Sequence, residues 1–195
     1  MAKKEISLLQ LVLSLTLITL VAAVALAAVY IVTKVPIEQV QSAKKTDAIA
    51  KVLPHFEGTT TRIAMMPEEG KDSVILYMAY NDSELFGAAV ETYTDKAFSG
   101  RFSIMVGFDK EGVITGTEIL QANETPGLGD KIDKNKSDFS LQFVGKNPQN
   151  YSLIVKKDGG DVDAITAATI SSRAFCDAVS RAYQTYLKAK EENHE

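Results

Sequence analysis

Asp163-Ala164-Ile165-Thr166-Ala167-Ala168-Thr169-Ile170-Ser171 is the turning point of this sequence, where a series of strand-like runs gives way to a final helix. A turn of small and hydroxyl-bearing residues comes first. Behind it Ile170, Ala174, Ala178, Ala182 and Tyr186, flanked by Phe175, Val179, Tyr183 and Leu187, recur at helical spacing. Thr169 and Ser171 therefore fall at the helix start, where unpaired N–H groups and the helix dipole favour an anion such as phosphate. Ala167 and Ala168 leave room for a bulky group to approach. A hydroxyl here has three uses: it accepts a hydrogen bond, caps the helix as Ser and Thr commonly do, or carries a phosphate ester.

Upstream, residues 60–65, 74–80, 86–94, 102–108, 113–120 and 151–156 are rich in Val, Ile, Tyr, Phe and Thr and are bounded by Gly, Pro, Asn and Asp. Those are strand signals. Strands in succession followed by helices predict an α+β fold, an antiparallel sheet with flanking helices. Pro126-Gly127 is a turn signal, and Gly129 adds a second position free of Cβ constraint. Such a loop lets backbone amides lie close to a flat ring or a phosphate, and a short helix is expected after it. No internal repeat or flexible linker interrupts residues 55–190, which are expected to form one domain with 191–195 as a polar tail.

The N-terminus has a different composition. From residue 6 to residue 33 nothing is charged, and 8–32 is almost wholly apolar. A helix of that extent is roughly 40 Å long, against a hydrocarbon core of about 30 Å. Ala23-Val24-Ala25 and Ala25-Leu26-Ala27 have the small-x-small form of a signal-peptidase site, but the run exceeds the apolar core of a signal peptide. A retained membrane anchor over residues 1–34 is expected, with Tyr30 and Lys34 at its interface. No charged residue lies between 6 and 33, which argues against an ion path there. Ile37, Val40, Ala43, Lys44, Ala48 and Val52 then predict a connecting helix, residues 35–54, ended by Pro54.

The net charge of −4 and pI near 5.3 argue against nucleic-acid binding. Lys134-Asn135-Lys136 and Lys156-Lys157 read as solvated surface. Cys176 is the single cysteine, so an internal disulfide or an iron–sulfur site is excluded; it reads as a small helix residue. His55 and His194 stand far apart without companions at ligand spacing, and no metal site is expected.

Asp163 to Thr169 follows the pattern Asp-x-x-Thr-x-Ala-Thr, which resembles the flavinylation motif of the covalent FMN-binding domain family. That domain occurs in the G subunit of the Rnf electron-transport complex and in the C subunit of the sodium-translocating NADH:quinone reductase. Glu124-Thr125-Pro126-Gly127-Leu128-Gly129 is similar to a second stretch of the same family, in the family's order. The runs at 100–108 and 112–116 are also similar, and the resemblance extends over residues 85–187. One departure stands out: Ala167 occupies a position where the family usually has Gly.

The resemblance implies FMN joined to Thr169 through a phosphoester, placed there by an ApbE-like flavin transferase. It implies that Asp163 positions the hydroxyl or a metal during that transfer, and that Glu124, Thr125, Gly127 and Leu128 line the flavin. Thr166 and Ser171 would hydrogen-bond the phosphate or cap the helix, with Ala168 beside the ester. Gly127-Leu128-Gly129 lacks the third glycine and the strand–helix context of a Rossmann fingerprint, so a flavin must be held some other way.

The implied partners are the other subunits of an Rnf-type membrane complex, which moves electrons between ferredoxin and NAD while translocating sodium ions or protons. The implied place is a bacterial or archaeal cell membrane, with the N-terminus cytoplasmic and the domain on the periplasmic or extracellular face. Lys3 and Lys4 before the span against Lys34, Lys44 and Lys45 after it do not decide that orientation by charge. An electron-transfer subunit of an oxidoreductase, with no catalytic residues of its own, is the expected role. The alternatives are the C subunit of the quinone reductase and a non-redox, membrane-tethered ligand-binding module on the same fold. A small enzyme acting on an external acceptor ranks last, because no nucleophile with a matching base is evident.

Overall fold

The computed structural model describes residues 7–81 and 84–192. Lys3 and Lys4, and residues 193–195 of the expected tail, lie outside them.

One helix, α1 (Leu8–Val52), covers both the expected anchor and the expected connecting helix. It runs through Pro36 without ending, although proline supplies no N–H to the carbonyl four residues earlier. Its apolar part is fully exposed and is long and apolar enough to cross a membrane. The hydroxyls of Ser14, Thr16, Thr19 and Thr33 all donate to carbonyls three or four residues back, which suits a lipid environment without other partners. The last turns of α1 belong to the compact unit 44–195, where Ala48 and Val52 are buried.

Within that unit the strands β1 (Thr59–Met65), β2 (Val74–Asn81), β3 (Glu84–Thr94), β4 (Phe102–Asp109) and β5 (Ile114–Gln121) form an antiparallel meander in sequence order. Ile63 stands opposite Leu76, and Val90 opposite Val106. The two-residue period of a strand sends alternate side chains to opposite faces. Leu76, Met78, Ala88, Val90, Ile104, Val106 and Phe108 meet α2 (Thr169–Glu192), which contributes Phe175, Val179, Ala182 and Tyr186 to the main core. The other face presents Ala79, Ala89 and Met105 to Ala48, Val52 and Leu53. Close approach there depends on two cross-strand glycines. A Cβ at Gly116 would lie 3.1 Å from Val52 Cα, and one at Gly107 would collide with the Val52 carbonyl. Thr115 donates its hydroxyl to that same carbonyl, one of the unpaired groups at a helix C-terminus.

The strand expected at 151–156 is not formed. Val155 makes only an isolated parallel bridge to Val162, and a 3-10 turn, Lys156–Asp158, follows. The alternating apolar pattern there reflects one-sided burial: Tyr151, Leu153 and Val155 pack on the main core without a ladder partner. The start of β5 is already engaged, since Ile114 exchanges backbone hydrogen bonds with Lys146 and Gly145. The short helix expected after Pro126 appears as two 3-10 turns, Gly129–Ile132 and Asp138–Phe143. Phe139 and Phe143 hold this irregular stretch against Phe175 of α2, with ring centroids 5.4 and 5.0 Å away. The stretch thereby returns residues 124–129 to the start of α2.

Candidate functional site

The site begins with the turn that opens α2. The Ala168 amide donates to the Ile165 carbonyl at 3.0 Å, closing a four-residue turn whose third residue, Ala167, has φ 62°. A positive φ at that position marks a type II turn, where glycine is preferred because it has no Cβ. The family's usual Gly therefore has a conformational reason, and the alanine here bears a cost on the order of 1–2 kcal/mol. Ser172 donates its amide to the Ala168 carbonyl at 3.0 Å, which makes Thr169 the first helical residue.

Ser172 is fully buried and braces the turn from inside. Its hydroxyl accepts from the Ile165 amide at 2.9 Å and donates to the Ala168 carbonyl at 3.1 Å. Neither motif points to it. The available signal was its helical spacing from Phe175 and Val179, which places a polar residue on the core face.

Ser171 has a different task from capping. It is 2% exposed, and its hydroxyl donates to Glu124 Oε2 at 2.5 Å. The other carboxylate oxygen accepts the Ser99 amide at 2.9 Å. Glu124 is itself buried. Gly129 makes the pairing possible, because a Cβ there would collide with Glu124 Oε2 and lie 2.6 Å from Ser171 Oγ.

Between these elements lies a hollow of about 310 Å³, lined by Phe98, Glu124, Thr125, Leu128, Gly129 and residues 167–171. Thr169 stands half-buried in its wall. Phe98, Leu128 and Ile170 form an exposed apolar rim, 67%, 42% and 46% accessible. The volume lies at the low end of small-molecule sites, about 300–1,000 Å³. It suits a flat ring laid against an apolar rim better than the enclosure of a whole cofactor. The first-turn amides of α2 have no intrahelical acceptors, and such a helix start favours an anion carried on Thr169.

Six of the residues expected at the site are brought together: Glu124, Thr125, Leu128, Ala168, Thr169 and Ser171. Three are not. Gly127 does not line the hollow; its φ of 76° and the empty space around a built Cβ identify it as a turn glycine. Asp163 and Thr166 line a separate, shallower depression with Gln142. Asp163 pairs with Lys156 at 2.7 Å, and its amide donates to Gln142 Oε1 at 2.8 Å. Phe98 and Ile170 also line the hollow, although neither motif singles them out. An aromatic residue in the turn between two strand runs was the readable sign of the first. Cys176 is buried, and burial pushes its thiol up to about 12, so it offers no thiolate at neutral pH.

The FMN-binding domain family matches residues 98–184, a range that takes in both walls of the hollow. Over 164 residues the chain is 35% identical to the G subunit of the ion-translocating oxidoreductase complex of Escherichia coli (strain K12), covering 80% of each chain. It is 32% identical over 171 residues to the protein of the same name from Haemophilus influenzae (strain PittEE), covering 84% of this chain and 83% of that one. The counterpart from Vibrio atlanticus (strain LGP32) is 35% identical over 169 residues, covering 81% of this chain and 80% of that one. The chain belongs to the family of G subunits of ion-translocating oxidoreductase complexes.

Membership in this family selects between the two complexes suggested by the motifs, in favour of the Rnf type. The matched FMN-binding domain also spans Glu124, Gly129 and Thr169, which line the hollow. The residues fit FMN in three respects. The rim is apolar, the helix start is one that favours an anion, and the Thr169 hydroxyl lies in the same wall.

Proposed function

We propose that this protein is a membrane-anchored electron-carrier subunit of an Rnf-type, ion-translocating ferredoxin:NAD oxidoreductase, with FMN esterified to Thr169. The observation that carries the reading is the position of Thr169: first residue of α2, half-buried in the wall of the hollow, behind a turn braced by Ser172. When bound, FMN supplies the redox chemistry, linking one-electron and two-electron partners; the protein supplies attachment, orientation and electrostatic setting.

Each part of the site has a role in this reading. The first-turn amides and dipole of α2 stabilise the phosphodiester charge. Phe98, Leu128 and Ile170 offer apolar contact to a ring, and the Glu124–Ser171 pair holds the 124–129 loop to α2. Asp163 and Thr166, exposed and outside the hollow, are then surfaces for an ApbE-like transferase and not contacts of the finished cofactor. In the transfer, the Thr169 oxygen bonds the FMN phosphorus of FAD, the bond to AMP breaks, AMP leaves, and the hydroxyl proton is released. On the outer face of the membrane a dissociated flavin would be lost by dilution, which a covalent bond prevents. The domain is accordingly placed on the periplasmic or extracellular side, with the N-terminus of α1 cytoplasmic.

Co-expression with a flavin transferase tests the reading. The denatured protein band should fluoresce as flavin in the wild type and not in Thr169→Ala, while Thr166→Ala retains label. A wild-type band without flavin in the presence of an active transferase would refute it.

A further inference from the structure

Glu124 is a carboxylate for which the fold has made unusual provision. It is 6% exposed, lies in the wall of the hollow beside Thr169, and forms no ion pair among the described residues. Both of its oxygens accept hydrogen bonds, one from the Ser99 amide at 2.9 Å and one from the Ser171 hydroxyl at 2.5 Å. Both carboxyl oxygens are thus engaged by partners from the 99 turn and from α2. Burial of such a group is strongly destabilising unless hydrogen bonds and nearby dipoles compensate. The start of α2 supplies part of that compensation, and Gly129 gives up its side chain to admit the Glu124–Ser171 contact. A purely mechanical link between loop and helix could be made by a neutral amide. The position holds a carboxyl group instead.

We propose that Glu124 tunes the redox potential of the flavin: its fixed negative charge in the wall of the hollow disfavours reduction of an FMN carried on Thr169. The inference rests on the assignment of FMN to Thr169. Each electron that reaches the flavin without a proton adds one unit of negative charge to the hollow. A neighbouring carboxylate opposes that gain, and so lowers the midpoint potential. A unit charge in the wall of the same hollow, at an effective dielectric near 20, alters such an equilibrium on the order of tenfold. Ser171 acts through Glu124 as a positioning residue, because its hydroxyl disperses part of the carboxylate charge.

Dye-coupled reductive titration with dithionite of the flavinylated full-length protein tests this. Glu124→Gln keeps the size of the side chain and removes the charge; its amide oxygen still accepts from Ser99, and its NH2 donates to the Ser171 oxygen with that bond reversed. The midpoint potential should rise, shifting electron partition between flavin and dye about tenfold toward the flavin. Ser171→Ala keeps the charge and removes one donor, so its potential should fall. A mechanical role would lower the unfolding temperature of either variant without moving the potentials in opposite directions. An unchanged or lower potential in Glu124→Gln overturns the proposal, as does an unchanged or higher one in Ser171→Ala. If Glu124→Gln fails to fold or to take up flavin, Ser171→Ala decides alone. Absence of covalent flavin from the wild type, seen by mass before any titration, would overturn the FMN assignment and this inference with it. Flavin present at an indifferent potential overturns this inference only.

Discussion

The Ile165 amide donates to the Ser172 hydroxyl at 2.9 Å, and through that bond the turn containing Ala167 is tied to the helix that begins at Thr169. Both groups are buried, so the bond has no water to replace it. Ser172→Ala leaves the Ile165 amide unpaired and should destabilise the domain by about 1–3 kcal/mol. Chemical denaturation of the variant checks this, with reduced flavin incorporation at Thr169 expected alongside. An unaltered denaturation midpoint would show that the turn is held by other means.

Ala167 adopts φ 62°, which glycine adopts without the Cβ clash. Ala167→Gly relieves that strain but gives the unfolded chain more freedom, an opposing effect of about 0.4–1 kcal/mol. The expected net result is a modest stabilisation, up to about 1 kcal/mol. Flavin transfer to Thr169 should proceed at least as fast. A clear loss of stability would contradict the left-handed conformation assigned to this residue.

Cys176 lies at 4% exposure with its thiol pushed up to about 12 by burial. The native protein should resist iodoacetamide at pH 8 and react fully once denatured. Rapid labelling under native conditions would mean that α2 opens locally far more often than its packing implies.

Asp177 accepts hydrogen bonds from Thr94 at 2.8 Å and Lys96 at 2.6 Å, and pairs with Arg181 at 3.1 Å. Burial pushes its pKa up, but the bonds from Lys96 and Thr94 and the charge of Arg181 outweigh that, so the group sits below the ordinary aspartate value. A carboxylate depressed on folding adds stability that is fully present above its unfolded value, about 3.9. That stability is lost as pH falls through the folded value. Thermal unfolding should thus show a steeper acid decline in the wild type than in Asp177→Asn, which is less stable at neutral pH. Parallel acid limbs would remove Asp177 from the account.

Much of this architecture was legible in the order of residues. The strand runs at 60–65, 74–80, 86–94, 102–108 and 113–120 all appear in the sheet, because each combines β-branched or aromatic residues with clear turn punctuation. The run at 151–156 carried the same composition and still formed no strand. Composition reports one-sided burial, whereas pairing needs a free edge, and that is a tertiary property. The helix start at Thr169 and the approach of Glu124, Thr125 and Leu128 could be anticipated from the two motifs. The Ser172 brace and the clearance at Gly129 could not, since both depend on what packs against them. Asp163 and Gly127 stand in the motifs yet outside the hollow, because a motif records everything a segment does, including turning and being recognised.

The proposed bond between Thr169 and FMN can be read directly from a peptide. Trypsin releases residues 158–173 as one peptide, which contains Thr166, Thr169, Ser171 and Ser172. Tandem mass spectrometry of that peptide, from native protein matured with a flavin transferase, locates any modification among the four hydroxyls. A single added FMN phosphoryl group on Thr169 is expected, with the other three hydroxyls unmodified. An unmodified peptide, or FMN on Thr166, Ser171 or Ser172, would contradict the proposed bond.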